Sequence, residues 1–192
     1  MKKFFAIAAL MISSLAAFAQ QAPGSFSIQP KIGLNISTVT KADGSDPRFG
    51  AVAGAEFMYQ ASDMVGISFG ALYSMQGVKG EVNGIDATLK TDYINVPILA
   101  NVYVAKGLAV KLGLQPGFCI NNKVKAKQGG TSVEGDGLEE NTVDLSMPVG
   151  LSYEISNFVI EGRYNFGLTK VWKDYDNKHS VFQITLGYKL PL

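Results

Sequence analysis

Few residues in this chain could do chemistry. Its one histidine, His179, stands beside Ser180, with Asp174 and Asp176 just upstream. Imidazole, hydroxyl and carboxylate are the parts of a nucleophilic triad, in which the base must reach the nucleophile while an acid orients the base. Neighbouring residues on a strand point to opposite faces, so His179 and Ser180 are badly placed to share a proton. His179 is therefore expected to be a solvated loop histidine, and no catalytic residue is assigned. Oxygen ligands occur at Asp174-Tyr175-Asp176-Asn177 and between Glu134 and Glu140. Neither follows the spacing of a calcium-binding loop, so they read as solvated turns, with no metal and no cofactor expected. Cys119 is the only cysteine, which excludes an internal disulfide framework and a cysteine-based zinc site. It is expected to be an inert small side chain. Trp172 and Tyr175 are the candidates for a loop contact with a ligand or partner. The competing reading folds both rings against the rim of the fold.

A second constellation is spread along the whole chain. Lys31, Lys111, Arg163 and Lys189 are matched by Glu56, Asp144, Glu154 and Glu161, and all eight fall on the polar side of strand-like segments. Four cations against four acids suggest an interlocked plug, because an unpaired buried charge is strongly disfavoured. A pore filter built on Arg163 and Glu161 is the alternative.

The elements that must position these charges follow a period of two. In 26–37, Phe26, Ile28, Pro30, Ile32, Leu34 and Ile36 alternate with Ser27, Gln29, Lys31, Gly33, Asn35 and Ser37. That spacing gives one apolar and one polar face on a strand, and it smears around a helix. The same alternation predicts strands near 48–60, 64–76, 92–104, 108–120, 142–154, 158–168 and 180–190, with a bulge at Pro97. Their connections run long, short, long, short, long, short, long. The long ones are expected as loops at 38–47, 77–90, 121–141 and 169–179. Eight strands, short turns at one end and long loops at the other are the layout of an outer-membrane barrel. About eleven residues at ~3.3 Å each, tilted by ~40°, span roughly 27 Å, close to the apolar band such a barrel needs.

Composition agrees with this layout. A length of 192 residues suits one domain. Lys2-Lys3, an apolar run from Phe4 to Leu15 and Ala17-Phe18-Ala19 predict a signal peptide over 1–19, leaving 20–192 as the barrel domain. Beyond it no apolar run is long enough for a membrane helix. The chain carries 17 basic and 16 acidic residues, near neutrality, which argues against a nucleic-acid partner.

Alternation alone fits a soluble ligand-carrying barrel equally well, with its apolar face inward. Size decides between them, because an eight-stranded interior is just wide enough to be filled by side chains. The polar face carries Gly33, Gly50, Gly54, Gly66, Gly70, Gly113, Gly117, Gly150, Gly167 and Gly187, small enough for a narrow lumen. The bulky face therefore belongs on lipid. Tyr59, Tyr153, Phe158 and Tyr188 at the short-turn end, and Phe49, Tyr73, Phe118, Phe166 and Phe182 at the loop end, are expected as interfacial girdles.

Three segments carry a family resemblance that spans nearly all of the chain after the leader. They are Asp92-Tyr93-Ile94-Asn95-Val96-Pro97-Ile98-Leu99, Glu161-Gly162-Arg163-Tyr164-Asn165-Phe166-Gly167-Leu168-Thr169 and Leu186-Gly187-Tyr188-Lys189-Leu190. The chain resembles the PorT-like outer-membrane β-barrel family of Bacteroidetes-type bacteria, departing from it in ending Leu190-Pro191-Leu192 without a terminal aromatic. The resemblance implies an all-β, eight-stranded antiparallel up-and-down transmembrane barrel in the outer membrane, and links to a secretion apparatus in some relatives. The expected function is a non-enzymatic barrel, a monomer in outer-membrane lipid, with a structural, surface-interaction or envelope-assembly role. The envelope protein partner would be met through the loops. A narrow channel or small-molecule binder using the polar lumen is the alternative.

Overall fold

The structure, a computed structural model, describes residues 22–40, 45–82, 85–128, 131–136, 143–170 and 177–192. The leader 1–19, Trp172, Tyr175, Asp174, Asp176, Glu139 and Glu140 lie outside the described residues. The strands are β1 (Phe26–Val39), β2 (Ser45–Gln60), β3 (Val65–Val82), β4 (Ile85–Asn95), β5 (Ile98–Ala105), β6 (Leu108–Gln128), β7 (Thr131–Asp136), β8 (Val143–Ile155), β9 (Phe158–Gly167), β10 (His179–Tyr188) and β11 (Leu190–Pro191).

All pairings are antiparallel, and β1 meets β10 from Lys31↔Gly187 to Val39↔His179, so the sheet closes on itself. Eight staves form the ring, with β4 and β5 sharing one and β7 and β11 attached outside it. Proline offers no ladder donor, and the predicted bulge at Pro97 is instead a break between β4 and β5. There the Pro97 carbonyl still accepts from Gly70 N (3.1 Å), and Val96 N donates to the Pro116 carbonyl (2.8 Å).

The orientation follows the sequence reading. Ile32, Leu34, Phe69, Leu112 and Ile184 are exposed on the outer face, while Lys31, Asn35, Lys111 and Gln183 are buried inside. Gly33 shows how tightly the strands approach, since a Cβ there would run into the Ile184 carbonyl across the closing seam. Short turns at 61–64, 106–107 and 156–157 join staves at the end where Gly24 N donates to the Gln60 carbonyl and Leu192 N to the Phe26 carbonyl. Phe26 with Tyr59 (4.9 Å between ring centres) and Phe158 with Tyr188 (5.1 Å) collect there as a girdle.

The long end differs from expectation. Segments 77–90 and 121–141 read as loops because they are rich in glycine and charge, yet their period of two persists. The β3–β4 ladder runs on from Gly77↔Lys90 to Val82↔Ile85, and β6 pairs with β7 from Lys123↔Asp136 to Gln128↔Thr131. A register shift between Asp92 and Tyr93 leaves Ile120 as an extra residue on β6. Beyond it Val124 and Ala126 take the inward parity and Lys123, Lys125 and Lys127 the outward one.

Leu112→Arg, on the lipid face near mid-strand, is expected to lower unfolding stability by about 2–4 kcal/mol. Lys127→Arg, above the apolar band, should change it by less than about 0.5 kcal/mol. Urea titration from lipid vesicles reads both, and equal midpoints would refute the assigned faces.

Candidate functional site

The lumen charges that sequence reading grouped as one plug separate into three levels. At the waist, inward positions of β1, β2, β6 and β9 bring together Lys31, Glu56, Lys111, Glu161 and Arg163. Lys31 Nζ lies 2.9 Å from both Glu56 Oε2 and Glu161 Oε2. Lys111 Nζ lies 2.7 Å from Glu161 Oε2 and 3.9 Å from Glu56 Oε2. Arg163 bridges the same acids, with Nη2 at 2.5 Å from Glu56 Oε1 and Nε at 2.5 Å from Glu161 Oε1. The second contact is an ion pair by distance, without the alignment of a hydrogen bond. All five side chains are buried, so each charge is held by its neighbours in place of water.

Near the short-turn end, Lys189 Nζ donates to both oxygens of Glu154 (2.9 Å each), and Tyr103 Oη donates to Glu154 Oε1 (2.7 Å). This makes Lys31 and Lys189, on the first and last staves, each possess the acid that closure demands.

At the loop end, Asp144 does not join the waist. Its Oδ1 accepts from the Thr169 hydroxyl. His179 is here too, which corrects its assignment as a solvated loop residue. β10 starts at His179, whose parity matches the inward Val181, Gln183 and Thr185, and only 3% of it is exposed. Its Nε2 lies 3.1 Å from Tyr93 Oη. Ser180 faces the other way and is hydrogen-bonded to the Tyr164 hydroxyl. Histidine and serine therefore sit on opposite faces of one strand, without the contact a triad needs.

Two lumen charges were missed from sequence. Arg48, whose Nη1 donates to the Gln76 carbonyl, and Asp92, whose Oδ2 accepts from Asn121 Nδ2 (2.9 Å), are both buried. The signal for Arg48 was present, since it shares the even parity of the inward Val52, Glu56 and Met58. Asp92 lies at the register shift, where alternation fails. Cys119 is half-buried in β6, with Sγ 3.6 Å from the Asn121 carbonyl.

Among known proteins, a family model described as "Outer membrane protein beta-barrel domain" matches residues 18–173. The chain belongs to that family. The barrel is accordingly an outer-membrane protein, and its apolar exterior lies against lipid. A solved structure of Ail, the attachment invasion locus protein of Yersinia pestis, in complex with the heparin analogue sucrose octasulfate is 20% identical. That match covers 86% of this chain and 99% of Ail, with a TM-score of 0.54. Neisserial surface protein A is 15% identical over 89% of this chain and 99% of its own, with a TM-score of 0.48. OprG from Pseudomonas aeruginosa is 14% identical over 90% and 99%, with a TM-score of 0.47. The likeness to Ail is one of fold. No curated protein matches the chain in sequence.

Removing one waist acid strands three cations on the other. Glu161→Gln is expected to cost about 3–5 kcal/mol of stability. Glu134→Gln, which removes the exposed pair with Lys90, should leave the unfolding midpoint nearly unchanged. Equilibrium unfolding in detergent compares the two, and equal losses would mean that the waist pairs hold nothing together.

Proposed function

We propose that this chain is a PorT-like member of the family and a non-enzymatic, monomeric outer-membrane barrel. Its lumen serves as a structural core, and its working surface is the pair of outer hairpins. The observation that carries this reading is the waist cluster, where five charged side chains from four staves interlock at 2.5–3.9 Å across the bore. A bore crossed by ion pairs, with Leu72, Leu99 and Val159 buried beside them, offers no path to solutes. The PorT-like branch is supported by where its motif residues sit. Tyr93 packs on His179, Pro97 breaks the fourth stave, and Arg163 is the hub of the waist.

The hairpins supply the contact surface. Register aligns Asp46, Lys79, Thr88, Lys125 and Glu134 in one row across β2, β3, β4, β6 and β7. Asp86 beside Lys127, and Lys90 and Lys123 beside Asp136, extend it. Acids and lysines interleave on this outward face, around a groove of about 390 Å³. Mixed charge of this kind favours a protein surface of complementary pattern over a plain polyanion. The partner is thus an envelope or external protein met through the hairpins, with an envelope-assembly role, secretion included.

In planar bilayers the purified barrel is expected to show no steady conductance, and a stable open pore would favour the channel reading instead. A photo-crosslinker placed at Lys125 should capture a defined protein identified by mass spectrometry, while one at the lipid-facing Ile184 should not. Equal capture at both positions would count against the hairpins as the contact surface.

A further inference from the structure

The loop end of the lumen holds polar groups that the waist does not use. Asp144, Ser146, Gln115, Asn165, His179, Gln76, Asn95 and Val181 line a cavity of about 10 Å³, room for a single small ion or water. Three of its side chains, each about nine-tenths buried or more, have a polar atom without a hydrogen-bond partner: Gln115 Oε1, Asn165 Oδ1 and His179 Nδ1. Gln115 is oriented by its amide, Nε2 to Ser146 Oγ at 3.3 Å, with the oxygen left over. Thr169 occupies Asp144 Oδ1, and among the described residues no cation lies within ion-pair distance of the Asp144 carboxylate. Gly117 stands opposite Asp144 in the ladder, and a Cβ there would come within 2.6 Å of Asn95 Oδ1, so glycine keeps this level open.

We propose that Asp144, Gln115, Asn165 and His179 form a binding site for one divalent cation of the borderline class, such as Zn²⁺. Every unpartnered atom is an acceptor in the tautomer that leaves Nδ1 as the bare ring nitrogen, and the Tyr93 contact accommodates that tautomer. A histidine that ligates a metal gives its other ring N–H to an outer partner, which fixes the tautomer. Tyr93 Oη at 3.1 Å from Nε2 is placed to accept that proton. One imidazole nitrogen with carboxylate and amide oxygens suits zinc-like ions better than calcium or magnesium, whose ligands are oxygen alone. Asp144 supplies the one carboxylate among the four donors, and the Thr169 hydroxyl engages only its Oδ1. The four donors come from β6, β8, β9 and β10, so a bound ion ties half of the barrel mouth together. The site is independent of what the hairpins bind.

The test titrates Zn²⁺ into the full barrel folded in detergent, following uptake calorimetrically and the imidazole nitrogens by NMR. One ion per barrel is expected, with a shift at Nδ1 and a raised unfolding midpoint. His179→Ala and Asp144→Asn should each weaken binding at least about 10-fold, and Tyr93→Phe on the order of 10-fold. Retained heat-modifiable gel migration keeps misfolding apart from lost ligation. The double variant Asp174→Asn/Asp176→Asn should bind as the parent does. No uptake by the parent would overturn the proposal. Unchanged affinity in both ligand variants, or loss in the Asp174/Asp176 variant, would overturn it equally.

Discussion

Hydrocarbon offers no partner to a backbone N–H or C=O, and each one left bare there costs several kcal/mol. Everything else in this molecule is subordinate to meeting that demand. The chain does so by pairing its first stave with its last, so no edge is exposed along the described ladder. Once the sheet is closed, side chains have only two destinations. Ile32, Leu112 and Leu151 go to lipid, and every residue of opposite parity goes into a bore too narrow for water in bulk. Charges arriving in that bore must find one another, and the ion pairs at the waist and at the short-turn end are the outcome.

How much was legible in the sequence depended on whether a feature is local. Alternation is a property of neighbours, so Phe26–Ser37 and its seven counterparts could be read off directly, along with the face each residue takes. The pairing of Lys31 with Lys189's stave could be foreseen from closure alone. Which acid meets which cation could not, because Lys31 and Glu161 stand 130 positions apart and their contact depends on stagger between staves. Asp144 fell out of the expected plug for that reason.

Register irregularities hid the rest. The extra residue opposite Asp92 and Tyr93 switches parity on β6, so a strand that continues to Gln128 resembled a strand ending at Ile120 followed by a lysine-rich loop. His179 was misread for a related reason. Lys178 and Asp176 gave its surroundings a loop-like composition, and one residue of strand extension moved its ring from solvent to the lumen. Trp172 and Tyr175 remain a reading from sequence.

The waist also has a meaning for biogenesis. Its members come from the first, second, fifth and seventh staves, so no contiguous hairpin contains the full set. A nascent sheet released early into the membrane would present Lys31 without both of its acids. A chain inserted one residue out of step would turn the whole cluster toward acyl chains. The full set of ion pairs at the centre of the bore is thereby reached only in a finished, correctly registered cylinder.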